Sequence, residues 1–218
     1  MYKILVCILG LLSRLKLDIK TEGQRNLPTE GPVLIIFNHN DFLDTVVMLL
    51  EIQRKMAAFV AYEYRYNPAV ILFNAAGSVI LVRRGQSDQE ALAKGLLHLS
   101  HGGVLTVAPE GTRGPSKKMG KGKYGPAFLA GKTGCPIVPV GINNTYNGFK
   151  WLFGSLLTNE KLSIAVTIGL PFFLTVDDNL LHADLDETGV KDAWQSVTNT
   201  QLMPKIAQLL PAEMHGEF

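Results

Sequence analysis

The segment Asn38-His-Asn-Asp-Phe-Leu-Asp44 places a histidine and a carboxylate five positions apart. His39 follows the apolar run Val33-Leu-Ile-Ile-Phe37, and Asp44 stands about one turn into the helix-spaced stretch Phe42 to Ile52. From there a carboxylate can reach back to one imidazole nitrogen, fix the tautomer and leave the other nitrogen as a base. No serine or cysteine in a nucleophile motif accompanies the pair, and no Gly-x-Ser-x-Gly elbow occurs, which disfavours a hydrolase. The chemistry that fits is one where the substrate brings the nucleophile, such as a hydroxyl attacking an activated acyl group. A second reading fits the same residues: Asn38, His39 and Asp41 would cap a helix, with Asp41 the better placed as N-cap. The spacing alone leaves both open.

A second cluster begins at Ala108-Pro-Glu-Gly-Thr-Arg113. Arg113, Lys117, Lys118, Lys121 and Lys123 put five positive charges in eleven positions without an acid. Gly111, Gly114, Gly120, Gly122 and Gly125 would let backbone N–H groups approach an anion closely. Arg113 can fork onto a phosphate, and Thr112 can donate its hydroxyl. The same composition also suits a solvated loop. Arg83-Arg84-Gly85 ends another strand-like run and offers either a further phosphate contact or a surface pair. Cys135-Pro-Ile-Val-Pro-Val140 is a proline-bounded strand whose expected part is shape, closing one wall of a pocket. The five histidines lack ligand spacing in a polar cluster, apart from the loop-ending His98/His101 pair, so no metal site is expected.

These groups need elements to hold them. Strands are expected at Val33–Phe37, Ala57–Ala61, Val79–Val82, Val104–Val107, Pro136–Ile142 and Leu162–Gly169. Helices are expected over Phe42–Ile52, from the Asn67-Pro68 cap to Ala75, from a Ser87 N-cap to Ser100, over Tyr124–Thr133 and over Val190–Leu210. Strands alternating with helices imply an α/β fold with a mostly parallel central sheet flanked by helices. In such sheets functional groups gather past the carboxyl ends of strands, where the polar clusters after Phe37, Val82 and Val107 would lie.

The chain has 218 residues, of which 47% are hydrophobic, enough for one domain with apolar surface to spare. Residues 1–20 are expected to form a short N-terminal membrane-interface helix and residues 21–218 the catalytic domain, with Thr21 to Glu30 as a linker. The run Ile4 to Leu12 is too short to cross a bilayer, which needs roughly 20 helical residues. Gly10-Leu-Leu-Ser is a poor signal-peptide cleavage site. Lys3, Arg14, Lys16 and Lys20 around the run suit a helix lying in the interface, and burial of the helix in the core is the other reading. Cys7 and Cys135 are expected to be buried free thiols in a reducing compartment. Residues 1–175 carry 19 basic and 11 acidic side chains (+8), whereas residues 176–218 carry 2 and 8 (−6). The basic part suggests phosphate groups or an acidic membrane surface as partner. Nucleic acid is not expected, because Tyr124 is the one stacking aromatic beside the basic run.

Four segments taken together resemble the glycerolipid acyltransferase family, which includes bacterial 1-acyl-glycerol-3-phosphate acyltransferases. Its histidine–aspartate block resembles Asn38 to Asp44, and its apolar strand ending in arginine resembles Val79 to Arg84. Its Pro-Glu-Gly-Thr-Arg block is similar to Ala108 to Arg113, and its proline-containing strand to Pro136 to Val140. Order and approximate spacing match over about residues 31–142. The resemblance implies that His39 is the general base on an acceptor hydroxyl and that Asp44 orients it. It further implies that Glu110, Gly111, Thr112, Arg113 and one of Arg83 or Arg84 bind the acceptor phosphate, with Arg84 slightly preferred and Lys123 a further candidate. The implied reaction moves a fatty acyl chain from acyl-CoA or acyl-carrier protein to 1-acyl-glycerol-3-phosphate, giving phosphatidic acid without a bound cofactor. Expected partners are membrane lipid, a lysophospholipid acceptor and the acyl donor, at the cytoplasmic face of the cell membrane, with a peripheral or monotopic attachment. The alternatives are another acceptor, such as lyso-ornithine lipid or glycerol-3-phosphate, or an inactive membrane-lipid-binding module. Two departures stand out: Asn40-Asp41 where the family often has serine two after the histidine, and Ala108 in place of phenylalanine.

Overall fold

The computed structural model describes residues 2–14, 16–41, 43–83, 88–112, 118–144 and 161–218. Among these, one sheet has seven strands in the order β1-β7-β6-β2-β5-β3-β4. The strands are β1 (Leu17–Glu22), β2 (Val33–Phe37), β3 (Met56–Ala61), β4 (Val79–Val82), β5 (Val104–Val107), β6 (Ile137–Asn144) and β7 (Leu162–Ile168). All neighbours pair parallel except β6 and β7, so the fold is the expected mixed α/β with helices on both sides.

β2 is central because each of its five residues is buried, which suits an unbroken Val-Leu-Ile-Ile-Phe run covered on both faces. Its register pairs Val33 with Val104 of β5 and Leu34 with Ile137 of β6. Strand side chains alternate between faces, so β2 feeds two cores. Leu34 and Ile36 join the core under α4 (Gln89–Ser100), α5 (Gly125–Thr133) and the C-terminal helices. Val33, Ile35 and Phe37 join the core under α2 (Leu43–Glu51). Against that second core lie Tyr2 of α1 (Tyr2–Arg14) and Phe73 of α3 (Pro68–Ala75). Because β2, β5, β3 and β4 are parallel neighbours, their carboxyl ends share one edge of the sheet. Phe37, Val82 and Val107 therefore deliver their loops to the same edge, with β4 at its far end.

Several expectations are corrected. Leu17–Glu22 is an edge strand in register with β7, Leu17 opposite Leu162, so the stretch expected as a linker from Thr21 begins inside a strand. With only Leu17 and Ile19 apolar, it carries too little alternation to be read as a strand. Cys7 is an exposed free thiol on the outer side of α1; Cys135 is free and buried as expected, and burial pushes its thiol pKa up. Ser87 lies outside the described residues, and the cap of α4 is Asp88, whose side chain accepts from Ala91 N–H. A short helix, α6 (Asp178–His182), was not expected. The terminal helix is broken: α7 (Val190–Val197) widens into a π turn over Thr198–Leu202 before α8 (Met203–Ala207). Pro204 has no N–H to give to the preceding turn, and a locally widened ladder accommodates it.

Candidate active site

His39 leaves the carboxyl end of β2 with its ring edge-on to Phe37, centroids 5.8 Å apart. Its Nδ1 lies 3.3 Å from Asp44 Oδ2, and the pair is shielded, with side-chain exposures of 16% and 2%. The same Asp44 oxygen accepts from the backbone N–H groups of Asn40 and Asp41, each at 2.7 Å. Asp44 sits in the first turn of α2, where a carboxylate is favoured by the unpaired N–H groups of a helix start. The two sequence readings therefore coexist: Asp41 Oδ1 accepts from Leu43 N–H at 3.1 Å in a capping turn, and Asp44 faces the imidazole. With Nδ1 engaged by Asp44, Nε2 is the nitrogen left to take a proton.

Glu110 is the second buried carboxyl of the site. Its Oε1 accepts from His39 N–H at 3.3 Å and its Oε2 from Gly120 N–H at 3.0 Å. Burial raises its pKa, and the two backbone donors partly counter that. Gly111 follows with φ of 70°, a conformation that glycine adopts without strain, and its N–H closes a turn onto Ala108 O. Lys123 is drawn to the same turn: its N–H donates to Pro109 O at 2.8 Å, and its Cγ lies 3.4 Å from where a Gly111 Cβ would be. Both Thr112 and Lys123 are exposed at this rim.

The structure thus brings together His39, Asp44, Glu110, Gly111, Thr112 and Lys123. Arg83 stands apart, its guanidinium 5.0 Å over the Tyr62 ring and its backbone N–H on Asp88 at 2.7 Å. β4 is three strands from β2 in the sheet order, which is about 14 Å at ~4.8 Å per strand. Arg84, Arg113, Gly114 and Lys117 lie outside the described residues.

Two asparagines hold the site in place: Asn38, read from the sequence as a helix cap, and Asn199, which sequence reasoning did not single out. Asn38, fully buried, donates to Ile142 O at 2.9 Å and accepts from Ile142 N–H at 2.7 Å. That bidentate clasp fixes the residue before His39 to the neighbouring strand β6. Asn199, in the π turn, does the same for the basic loop: it accepts from Gly122 N–H at 2.8 Å and donates to Gly122 O at 3.0 Å. Gly122 has no room for a side chain there, since a Cβ would sit 2.5 Å from Thr198 Cγ2.

A mostly parallel sheet thus carries a shielded His–Asp pair on its carboxyl edge, beside a glycine- and lysine-bearing loop. The family model described as Acyltransferase matches residues 18–143, and the chain belongs to the acyltransferase family. It is 26% identical over 154 residues to the 1-acyl-sn-glycerol-3-phosphate acyltransferase of Borreliella burgdorferi, a match covering 70% of this chain and 60% of that one. A chloroplastic 1-acyl-sn-glycerol-3-phosphate acyltransferase of Arabidopsis thaliana is 30% identical over 131 residues, covering 58% of this chain and 36% of its own. The chain therefore spans 60% or less of the length of these curated relatives. In fold it is similar to the crystal structure of the 1-acyl-sn-glycerophosphate acyltransferase PlsC of Thermotoga maritima, with a TM-score of 0.63 at 22% identity, covering 91% of this chain and 78% of that one.

Proposed function

We propose that this chain transfers a fatty acyl group from acyl-CoA or acyl-carrier protein to the free hydroxyl of 1-acyl-glycerol-3-phosphate, forming phosphatidic acid. The observation that carries the reading is the shielded contact of His39 Nδ1 with Asp44 Oδ2 at 3.3 Å. Nε2 of His39 takes the hydroxyl proton as the oxygen attacks the thioester carbonyl, and the imidazolium then gives that proton to the departing thiolate. Asp44 holds the ring and balances its transient charge. The acceptor phosphate meets Lys123, Thr112 and the backbone at Gly111, joined by Arg113 and Arg84. Glu110, with both oxygens on backbone N–H groups, ties the His39 loop to the phosphate-binding loop rather than meeting the phosphate as a like charge.

The attachment we infer is peripheral, at the cytoplasmic face of the cell membrane. Among the described residues no helix is long and apolar enough to cross a membrane. α1 instead turns Ile4, Ile8 and Leu11 outward, 64%, 52% and 70% exposed, and Lys3 is exposed as well. Such a stripe fits a helix lying in the headgroup region.

The test is to incubate the purified protein with labelled acyl-CoA or acyl-carrier protein and a panel of lysolipid acceptors and glycerol-3-phosphate. Phosphatidic acid is expected, and His39→Ala should lose about 10²–10⁴-fold in turnover. No acylation of any acceptor with either donor, or an unimpaired variant, would overturn the proposal.

A further inference from the structure

α3 reads Pro68-Ala-Val-Ile-Leu-Phe-Asn-Ala75, and none of its residues is buried. Phe73 packs against the core under α2, whereas Ile71 and Leu72 are 52% and 43% exposed. A helix that is apolar nearly all round belongs in a protein core or in lipid, not against water. α3 has no charge of its own, but both ends are marked by cations and one by a group of tyrosines. Before it, the Arg65 guanidinium stands 4.3 Å from the Tyr62 ring centroid and 4.2 Å from that of Tyr66. Tyr64 and Tyr66 are exposed. After it, Lys55 Nζ is 3.6 Å from where a Gly77 Cβ would be. Glu63 is the one acid between Lys55 and Ser78. Tyrosine rings at the edge of an apolar stretch suit the headgroup level of a bilayer, and flanking cations suit anionic headgroups.

We propose that α3 is a second membrane contact that enters the interface of an anionic bilayer beside α1, an inference that rests on the peripheral attachment proposed above. Both helices lie on the α2 side of the sheet, since Tyr2 and Phe73 pack against the same core. The tyrosine-bearing end of α3 follows β3 at the carboxyl edge where His39 stands. Docking through α3 therefore sets that edge at headgroup depth, where a lysolipid can offer its hydroxyl with its chain still in the bilayer.

The experiment uses the full chain and vesicles of phosphatidylcholine alone or mixed with phosphatidylglycerol. Ile71→Trp supplies a fluorescent probe on α3. The introduced indole should shift to the blue on mixed vesicles and be quenched by lipids brominated in their acyl chains. The double variant Ile71→Glu/Leu72→Glu should float with mixed vesicles about tenfold less than the parent or worse, while acylating a short-chain, water-dispersed acceptor at the parental rate. Binding is read without catalysis, so a protein that binds but acylates nothing overturns the enzymatic reading and leaves this one standing. Absence of shift and quenching, or a double variant that floats like the parent, overturns it. So does a lipid-free dimer of the parent that the double variant abolishes, which would put a second copy over α3.

Discussion

Asp44 Oδ2 gathers three donors on one atom, Asn40 N–H, Asp41 N–H and His39 Nδ1. Asparagine could present its oxygen at the same point, so Asp44→Asn removes the charge and spares the geometry. An amide cannot balance the positive charge the imidazole gains as it takes the hydroxyl proton, and turnover should fall by about the 10²–10⁴-fold that a general base supplies. The unfolding midpoint in denaturant should barely move. A variant with parental turnover would show that the carboxylate's charge does nothing for the base. Glu110 supports a different measurement. Burial raises its pKa above the ordinary glutamate value of 4.5, so folding favours its protonated form. Its contribution to stability is then full below that ordinary value and is lost as pH rises through the raised value in the folded chain. The stability of the parent relative to Glu110→Gln should accordingly decline from about pH 4 upward until Glu110 is ionised. A difference that is flat or grows with pH would contradict the burial of an ionising carboxyl at this point.

At the scale of elements, the site depends on two clasps that tie loops to distant parts of the chain. Asn38 ties the His39 side to β6, and Asn199 ties the Lys123 side to the π turn. Removing either amide leaves backbone groups of its partner unsatisfied, at a cost of about 1–3 kcal/mol. The kinetic consequences should differ. Asn38→Ala loosens the proposed base and should lower kcat, whereas Asn199→Ala loosens the loop proposed to bind phosphate and should raise KM for the acceptor more than it lowers kcat. Steady-state kinetics with chemical denaturation would separate the two, and an identical kcat and KM pattern would refute the division of labour. The strands β2, β4, β5 and β6 were legible because buried strands show as short apolar runs, and the Asn67-Pro68 cap because its chemistry is local. The clasps were not, because their partners lie 104 and 77 residues away, and nothing around an asparagine indicates such a partner. The His39–Asp44 contact was legible only as a possibility, since five residues of separation are as consistent with capping. For the same reason β1 and the break before Pro204 escaped: one depends on pairing with β7, the other on the fit of a bent helix against the core.

Over the described residues, the C-terminal segment gives one face an excess of acids. The eight acids of residues 176–218 are all exposed. They belong to the segment whose apolar side chains, Leu181, Trp194 and Met203 among them, cover the core opposite α1 and α3. The face bearing Lys3, Lys55 and Arg65 is thus backed by an acidic one, and an anionic bilayer would attract the first and repel the second. Orientation, rather than affinity alone, is what such a division would supply: in the proposed docking the His39 edge would be presented with α1 and α3 down. A basic side chain near an anionic surface contributes about 1 kcal/mol, so reversing one costs roughly 2 kcal/mol, or about thirtyfold in binding. Lys55→Glu should lose about that much partitioning onto phosphatidylglycerol-containing vesicles at low ionic strength. Asp192→Lys, on the far face, should change it little. In ~1 M salt, where the Debye length falls to about 3 Å, the two variants should converge on the parent, leaving the apolar contribution of Ile4, Ile8, Leu11, Ile71 and Leu72. If Asp192→Lys strengthened binding as much as Lys55→Glu weakened it, net charge and not the arrangement of faces would govern docking, and the orientation argued here would be wrong.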